Sequence, residues 1–589
     1  MTRSFSLPSK AWDGFKGYNS DATNCPPDML APPSINCLID TNGRACQRMG
    51  YAVETEIALG VDGSAATCFY LEQYDITLFA LGTALKYFDW NTHAVYDTGV
   101  TLTTGTLTRM NAYAGMVFTT NTTDGLRMLV FGRLNDSAAN SGDATVTIDS
   151  DMAARLTALS LTDAVLRIQG TNEAYASMVV STGVVTLDAT LSQSYEDNAV
   201  CLVSSDISSG REKFSKIEFW KERMVGIGSV IGTNADQPNA TEFFGKFATP
   251  LAIELIIDFT YGAGGSTREL VGKWGKVTNV VPAKDYLYTF KESQTYSAAA
   301  ADVNLSTGAT VPDLRDENNG CLNEDSACVI GNNEITYITS DRRIVRIRIA
   351  TDSGAAVLFP DEQFDVPLRE LLKNMDASQE GARAYYHKAK RRSIYQVRMT
   401  GPWYWLVYDH QIKAWQPPQQ VLFVSDFFER KGILYGCDGS DDTIYSIGTT
   451  FDDNLQEIYC VVATGNFNVG TATMHRAKLQ GEISQAAEVK LKSTVTNKNG
   501  GIQSGSDKLI NGSTFSYSEQ HGVGADAVGE SGSEANTVQV ADWYAEFDIY
   551  PSEANRAQLT VTNESGGYFS VSQYGMNGRQ LSTSFSSVL

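Results

Sequence analysis

The chain has 589 residues, of which 42% are hydrophobic and 10% aromatic, so it can build packed cores, and wholesale disorder is excluded. Its formal net charge of −22 is opposite to that of a general nucleic-acid binder, because affinity for phosphate comes from Lys and Arg. The acidic balance fits a soluble protein whose copies repel one another, and it equally fits the wall of a channel that DNA slides past without sticking.

No targeting or metal-binding pattern stands out. The N-terminal stretch "MTRSFSLPSKAWDGF" has no continuous apolar core, so we expect no signal peptide. No window approaches the roughly 20 apolar residues that span a bilayer. We therefore expect a soluble protein without a membrane span, made in a cytoplasm. The nine cysteines lack CxxC spacing and the five histidines are far apart, which predicts reduced, mostly buried thiols and no metal or other cofactor.

The first fifty or so residues differ from the rest of the chain. "NCPPDMLAPPS" is rich in Pro and Asn, and it is followed by a strand-like "INCLID", a turn at "TNG" and the basic "RACQR". This order predicts an extended arm that leads into a hairpin. Such an arm is a candidate for a segment that gains order on assembly.

The remainder of the chain has a strand-and-turn pattern. Short runs of Val, Ile, Tyr, Phe and Thr are separated by Gly, Asn and Asp, and 50 glycines against 15 prolines suit many tight turns. Helical periodicity is scarce. The clearest case is "DVPLRELLKNM", where Asp365 is the expected cap and one face carries Leu368, Leu371, Leu372 and Met375.

Two distant stretches share one layout. In "LKYFDWNTHAVYDTG" and "WYWLVYDHQIKAWQPP" an aromatic residue precedes Asp89 or Asp409, and Ala94 or Ala414 follows five positions later. Recurring strand units that each bury one face indicate a repeat architecture. A β-propeller, which closes such units into a ring and leaves only short edges, is the predicted fold. An array of β-sandwiches is the competing fold.

The predicted fold class is all-β: a degenerate β-propeller with an inserted small β domain and a C-terminal β-sandwich-like domain. A charge-poor β segment after residue 135 and a Gly/Ser-rich tract after residue 497 mark the composition shifts. The predicted divisions are an N-terminal arm and hairpin (1–52), the first part of the propeller (53–135), the insertion (136–210), the remainder of the propeller (211–452) and the C-terminal domain (453–589).

Several motifs in a fixed order carry a family resemblance. They are the hairpin Gly43-Arg44 with Arg48-Met49-Gly50-Tyr51, then "KIEFWKERMVGIGSV" followed by "NATEFFGKF", then "NGCLNEDSACVIGNNEITYITSDRRIVRIRI", "DVPLRELLKNM" and "RAYYHKAKRRSIYQV". Over about 35–135 and 213–450 this order resembles the nozzle proteins of short-tailed bacteriophages. These are the tail tubular protein B type and the DNA-stabilisation or head-completion tail proteins. Residues 136–210 and 453–589 carry nothing diagnostic.

The resemblance implies a structural virion protein without enzymatic activity. It implies a homo-oligomeric ring, expected to be a hexamer, that attaches to portal, adaptor and other tail proteins and forms the channel for genome passage during DNA ejection. Double-stranded DNA would pass transiently, without specific binding. The implied location is the virion tail, assembled in the cytoplasm of a host bacterium. A tail-associated propeller glycan hydrolase and a lectin-like receptor-binding protein are the alternatives.

Two short basic segments are the candidate contact sites, for a neighbouring subunit or for DNA. Side chains two positions apart on a strand share one face, so Arg346 and Arg348 point the same way. The alternative to a contact site is an ordinary exposed strand face, whose ion pairs contribute about 0–1 kcal/mol each. The candidate residues are Arg342, Arg343, Arg346, Arg348, Lys388, Lys390, Arg391 and Arg392.

Three further groups have a chemical and an ordinary interpretation. Asp438, Asp441 and Asp442 could supply oxygen ligands to calcium, but Asp and Gly also build tight turns, which we favour. The acidic loop with Asp313, Asp316, Glu317, Glu324 and Asp325 could hold an acid–base pair, but acidic surface loops are common. The aromatic group Trp403, Tyr404, Trp405, Tyr408 and Trp415 could stack sugars, but it is expected in the core of a propeller blade.

Overall fold

The structure is a computed structural model, in which the following residues are described: 5–6, 10–59, 65–105, 107–136, 139–159, 165–179, 182–206, 213–228, 241–244, 266–269, 275–299, 313–331, 333–349, 360–361, 363–439, 443–450, 452–497, 502–504, 507–515, 522–524, 537–548, 553–563, 565 and 567–580. No helix within these ranges is both long and apolar enough to cross a membrane.

The N-terminal segment contributes short strands to three different sheets. Its strands are β1 (Phe5–Ser6), β2 (Lys10–Asp13), β3 (Cys37–Ile39), β4 (Ala45–Gln47) and β5 (Tyr51–Val53). Strands β3 and β4 pair as an antiparallel hairpin, at the place where the sequence predicts one. The segment is therefore joined by backbone hydrogen bonds to distant parts of the chain.

Seven antiparallel sheets follow in chain order within the described residues, and each is a propeller blade. Blade 1 contains β6 (Ala65–Leu71), β7 (Ile76–Leu81), β8 (Ala84–Asp89) and β9 (Ala94–Thr101), with a 3-10 turn at Glu72–Tyr74. Blade 2 begins with β10 (Arg109–Tyr113), β11 (Met116–Asn121) and β12 (Gly125–Arg133).

An elaboration interrupts blade 2 after its third strand. It comprises β13 (Thr145–Thr147), α1 (Ser150–Ala158), β14 (Val165–Ile168), β15 (Thr171–Val179) and β16 (Val184–Leu187), and β17 (Val200–Asp206) then returns to the blade. Strand β17 pairs with β12 on one side and β14 on the other, so the described strands of the interval 136–210 share one continuous sheet with the propeller. Helix α1 lies in a segment where the sequence shows strands; the Asp149 side chain caps it by accepting a hydrogen bond from the Met152 N–H.

Blades 3 to 7 complete the series. Blade 3 has β18 (Lys216–Trp220), β19 (Arg223–Ile227), β20 (Thr241–Phe244) and β21 (Ser266–Glu269), and blade 4 has β22 (Val277–Ala283), β23 (Tyr286–Lys291), β24 (Thr295–Ala299) and β25 (Asp313–Asp316). Blade 5 has β26 (Ala327–Ile330), β27 (Glu334–Ile338), β28 (Ile344–Arg348) and β29 (Pro360–Asp361). Blade 6 has β30 (Arg383–His387), β31 (Arg392–Arg398), β32 (Trp403–Asp409), β33 (Ala414–Trp415) and β34 (Gln419–Gln420), and blade 7 has β35 (Asp426–Arg430), β36 (Ile433–Cys437) and β37 (Ile444–Ile447).

The ring is closed by the N-terminal strand β5, which pairs with β37 as the fourth strand of blade 7. Blade 7 then packs directly on blade 1: the Phe79 and Phe428 rings lie 6.1 Å apart, and both side chains are buried. This closure buries the two apolar blade faces that an open row of blades would expose, and only short strand edges remain. The predicted all-β, propeller-containing fold is confirmed.

The helix between blades 5 and 6 is shorter than predicted, and its expected cap has another role. A 3-10 turn at Val366–Leu368 leads into α2 (Arg369–Leu372). Leu368, Leu372 and Met375 are buried, as the apolar face predicts. Asp365 makes no capping hydrogen bond. Its carboxylate accepts from Arg343 instead, which is a tertiary contact that the local sequence does not reveal.

The C-terminal part is a β-sandwich-like domain. Its strands are β38 (Cys460–Ala463), β39 (Phe467–Ser484), β40 (Glu488–Asn497), β41 (Ile502–Ser504), β42 (Lys508–Asn511), β43 (Gly522–Gly524), β44 (Thr537–Asp548), β45 (Glu553–Asn563), β46 (Ser570–Val571) and β47 (Gln573–Gln580), with a 3-10 turn at Gly512–Thr514. The long β39 pairs first with β45 and then with β44 and β47.

The N-terminal segment is built into this C-terminal domain. Strands β1 and β2 pair with β47, and β4 pairs with β46. The Phe15 and Tyr574 rings stack at 4.4 Å. One apolar core joins this domain to blades 5 and 6 of the propeller, with Ile344 and Trp415 packed in the same cluster as Trp543. The described parts of the N-terminal segment and of the C-terminal domain therefore fold together.

The two similar stretches noted in the sequence form the same hairpin. In blade 1 Asp89 faces Ala94 across β8 and β9, and in blade 6 Asp409 faces Ala414 across β32 and β33. Each aspartate accepts a hydrogen bond of 2.9 Å from the backbone N–H two residues later. The residue before each alanine has a left-handed backbone, with φ of 52° and 54°. The sequence repeat is a repeat of one turn geometry.

Candidate functional site

The propeller axis holds a cluster of charged side chains. The first strand of each blade is its innermost, and four of these strands start with a charged residue: Arg109 in β10, Lys216 in β18, Arg383 in β30 and Asp426 in β35. Glu324 and Asp325 stand just before β26. We call these six residues the axial cluster. They meet because every inner strand begins at the same end of the ring.

Asp325 is the centre of the axial cluster. Its carboxylate accepts two hydrogen bonds from Arg109, from Nε at 3.0 Å and from Nη2 at 2.8 Å. The Nη2 atom of Arg383 lies 3.4 Å from the same carboxylate, and Arg383 Nη1 donates to Asp426 at 3.2 Å. This Arg–Asp–Arg–Asp chain links blades 2, 5, 6 and 7. Paired geometry of this kind is what allows charges to be buried.

The other blades are joined to the same cluster. The Nζ atom of Lys216 in blade 3 donates to Asn279 Oδ1 in blade 4 at 2.8 Å and to the Glu324 carbonyl at 3.2 Å. The backbone N–H of Cys68 in blade 1 donates to Asp426 at 3.0 Å. All seven blades therefore contribute a group to one polar network around the axis.

The two partly buried aspartates have opposite pKa shifts. Burial alone would raise the pKa of Asp325, but the positive charges of Arg109 and Arg383 outweigh it and hold that pKa well below its usual value. Burial raises the pKa of Asp426, and the charge of Arg383 only partly opposes this effect. Asp325 is therefore a fixed anion at neutral pH, held between two guanidinium groups.

The space beside this network is small. A cavity of about 140 Å³ is lined by the axial residues Lys216, Glu324, Asp325, Arg383 and Asp426, with Ala327, Ala384, Tyr385 and Phe427. At roughly 30 Å³ per water molecule it has room for about five. The axis of the propeller is therefore occupied by ion pairs and cannot hold a DNA duplex.

The structure divides the predicted cationic residues between internal ion pairs and the surface. Arg343 contacts Asp365 at 2.6 Å, Arg346 contacts Asp361 at 2.6 Å and Arg392 contacts Asp409 at 2.8 Å. Arg346 also lies over the Phe364 ring at 4.4 Å. The exposed Arg348 also pairs with Glu334, at 3.4 Å. Four of the eight thus have carboxylate partners within their own chain. Lys390 is half-buried, and the exposed residues are Arg342, Arg348, Lys388 and Arg391.

The basic residues do not form one patch. Arg348 faces Glu334 in the ladder of β27 and β28, at the end of blade 5 where β26 turns into β27. Arg342 lies in the next turn, at the opposite end of the same strands. The turn of blade 6 between β30 and β31 carries Lys388 and Arg391. The sequence run therefore splits between two faces of the propeller.

The other predicted groups are placed as follows. Of the acidic loop, Glu324 and Asp325 join the axial cluster, whereas Asp316 accepts hydrogen bonds from the backbone of its own turn. Trp405, Tyr408 and Trp415 are buried in blade 6, as the core interpretation predicts. Asp441 and Asp442 lie outside the described residues. No cluster of three potential metal ligands occurs within the part of the chain that is described.

Arg48, from the first family-like motif, joins the propeller to the C-terminal part. Its guanidinium is 3% exposed and pairs with Asp453 through both Nη atoms. It also donates to the Gln420 carbonyl at 2.9 Å and to Asn36 Oδ1 at 3.2 Å. Beside it, a Cβ atom on Gly50 would lie 1.6 Å from the Asp452 carbonyl oxygen, so only glycine fits there.

The sequence prediction missed Arg109, Lys216, Arg383 and Asp426. A signal for them exists: each is the first residue of an inner strand that contains at least one aromatic residue, in "TRMNAY", "SKIEFW", "GARAYYH" and "SDFFER". One charged residue at the start of successive inner strands predicts a charged axis, once the strands are assigned to blades. Asp325 could not be paired with Arg109 from sequence, since 216 positions separate them.

Comparisons with known proteins add little. No protein-family model matches the sequence, and no curated protein matches it. Among solved structures, the chain is similar to the computationally designed Ika8 protein, with 11% identity over 68% of this chain and 99% of that chain and a TM-score of 0.34. It is also similar to a chain of a mitotic checkpoint complex, with 9% identity over 68% of this chain and 93% of that chain and a TM-score of 0.35. A third similar structure is Kluyveromyces lactis Hsv2, with 8% identity over 61% of this chain and 98% of that chain and a TM-score of 0.26. Likenesses with TM-scores this low carry no argument about function.

Proposed function

We propose that the chain is a structural subunit of the tail nozzle of a short-tailed bacteriophage, in which identical copies form a ring around a channel for genomic DNA. The family-like motifs support this proposal because each coincides with a defined piece of the architecture. The hairpin motif supplies the junction at Arg48 and Gly50. Within the second motif, 216–227 forms the inner hairpin of blade 3, and the third motif contains the strands β26, β27 and β28 of blade 5.

The observation that carries the proposal is the ion-paired axis. A propeller hydrolase would place accessible carboxylates in an open pocket on the axis. Here Asp325 is held by Arg109 and Arg383, and the partly buried Asp426 is paired with Arg383. The axial charges thus hold blades together, which suits a rigid scaffold. In a conduit built from such scaffolds, the channel for DNA lies between copies of the chain.

The charge of the chain suits this role. At −22 per chain, a ring of copies repels DNA phosphates within a Debye length of about 8–10 Å. A duplex would then move through the channel without adhering. We expect no retention of duplex DNA by the purified protein at 150 mM salt, whereas a cationic channel would bind DNA with a strong salt dependence.

The exposed cations are the proposed subunit contacts. Arg342, Arg348, Lys388 and Arg391 project from a chain with a large acidic excess, so they are suited to meet acidic surface on a neighbouring copy. The charge-reversal pair Lys388→Glu with Arg391→Glu is expected to shift the assembly toward monomers. Lys431→Glu, in the equivalent turn of blade 7, is the matched control and should leave the assembly intact.

Mass measurement of the purified protein, combined with electron microscopy, tests the proposal. A particle of about six times the 64.1 kDa of one chain, seen as a closed ring, is the expected result. A compact monomer that hydrolyses capsule or cell-wall glycans would contradict it and favour the enzyme. Glycan binding by a monomer that is lost on Tyr544→Ala, which removes an aromatic ring 57% exposed in the C-terminal domain, would favour the lectin.

A further inference from the structure

Two pairs of buried thiols lie where the beginning of the chain meets its end. All nine cysteines are free, and eight of them are buried. Among these, Cys37 and Cys460 lie in one apolar cluster, Cys68 and Cys437 lie in another, and the two thiols of each pair interact electrostatically. The partners are 423 and 369 positions apart, respectively, so each contact exists only in the closed fold.

Backbone contacts fix the first pair. Ile35 and Val461 exchange two hydrogen bonds of 3.0 Å, which places the N-terminal segment against β38 of the C-terminal domain. The Cys37 thiol contacts the Val461 carbonyl at 3.4 Å. Cys37 and Cys460 both point into the shared core and are fully buried. This pair ties β3 to β38.

The second pair lies at the seam where the propeller closes. Cys437 in β36 of blade 7 faces Asp426 across the sheet. The same Asp426 accepts the backbone N–H of Cys68 in β6 of blade 1. Both cysteines belong to the apolar cluster between these two blades. A bond between them would join the first blade to the last.

We infer that Cys37 with Cys460, and Cys68 with Cys437, are two latent disulfide sites that lock the two closures of the fold when the protein leaves a reducing cytoplasm. The co-reactant is a low-molecular-weight disulfide. One thiolate attacks it and releases one thiol, and the partner thiolate then attacks the mixed disulfide and releases the second. Two electrons pass to the oxidant, one S–S bond breaks and one forms, and the two cysteine protons leave with the released thiols.

Burial keeps the four thiols reduced for as long as an oxidant cannot reach them. Burial raises the pKa of Cys37 and Cys68 well above the usual value for a thiol, and the thiolate is the reactive form. Oxidation is therefore slow at neutral pH and should accelerate at higher pH or in mild denaturant. Once formed, each bond restrains a loop of several hundred residues, which is where a cross-link most reduces the entropy of the unfolded chain.

Mapping of disulfides in the full-length protein tests this inference. Reduced protein is incubated with oxidised glutathione at pH 8.5, remaining thiols are blocked with N-ethylmaleimide in denaturant, and the digest is examined by mass spectrometry. Peptides linked through Cys37–Cys460 and Cys68–Cys437 are expected, together with a rise of roughly 5 °C in the unfolding temperature that dithiothreitol reverses. Nine blocked or glutathionylated cysteines, or linkages among other cysteines, would overturn the inference.

Variants separate the two sites. Cys460→Ser should abolish the first linkage and keep the second, whereas Cys201→Ser, at a buried cysteine in blade 2, should keep both. Loss of both linkages in Cys201→Ser would also count against the inference. If Cys460→Ser does not fold, the map of the wild-type protein decides alone. The result is independent of ring formation, so it can fail while the proposed function stands.

Discussion

Replacement of Asp325 by Asn tests the axial cluster most sharply. The substitution keeps the shape of the side chain but removes the negative charge between Arg109 and Arg383, whose side chains are only 14% and 9% exposed. Two buried guanidinium groups then share the single carboxylate of Asp426 as well as the more distant Glu324. Breaking a buried ion pair in this way costs about 3–5 kcal/mol. We expect Asp325→Asn to lower the free energy of unfolding by that amount.

The matched control is Asp285→Asn. Asp285 forms an ion pair of 2.7 Å with Lys221, but its side chain is 58% exposed, so the same chemical change should cost far less than the loss at Asp325. Urea unfolding of the wild-type protein and both variants, with comparison of the midpoints, measures the difference. Equal loss of stability in the two variants would refute the view that the axis is held by buried charge.

The pH dependence gives an independent check on the same residue. The pKa of Asp325 is lower in the folded protein than in the unfolded chain. Its contribution is therefore present at neutral pH and lost as the pH falls below about 4 toward the folded value. Asp325→Asn removes this contribution, so the variant should lose less stability on acidification than the wild type. A steeper acid loss in the variant would contradict the assigned shift.

Three further predictions concern the hairpins and the junction. Burial lowers the pKa of His410 to about 4, so folding stability should fall by about 1–2 kcal/mol between pH 6.5 and 4, and His410→Gln should flatten this decline in urea midpoints. Asp89→Ala and Asp409→Ala should each lower the free energy of unfolding by about 1–2 kcal/mol, because each removes the same turn hydrogen bond. The loss should be larger at Asp409, because Arg392 also loses its ion-pair partner. Equal losses in the two variants would contradict a stabilising ion pair between Asp409 and Arg392. Gly50→Ala should cost at least 3 kcal/mol, since its Cβ would overlap a backbone carbonyl, whereas Gly105→Ala should cost about 1–2 kcal/mol for its left-handed backbone alone.

The local features of the fold could be predicted from the sequence. Strand composition and turn residues indicate an all-β chain, and the layout shared by Asp89 and Asp409 identifies two equivalent hairpins. These features arise within about ten residues, where turn chemistry and side-chain alternation decide the geometry. The buried aromatic residues of blade 6 follow from the same local rules.

The long-range pairings could not be predicted. Strand β5 closes the propeller by pairing with β37, nearly four hundred residues away, and β1 and β2 join β47 at the other end of the chain. Such partners depend on loop closure over the whole chain rather than on local pattern. For the same reason the sequence predicts that Asp365 caps a helix, whereas its carboxylate accepts a hydrogen bond from Arg343, which lies just before β28 of blade 5. A charged run such as 342–348 likewise does not reveal which cations have internal partners.

Electron microscopy of the assembled protein shows whether copies of the chain enclose a channel. We predict a closed ring of identical copies, with an acidic channel between them and each propeller axis filled by its ion pairs. Density for DNA within that channel and outside every propeller would agree with it. A monomer, or a duplex threaded through the axis of a single propeller past Asp325, would contradict it.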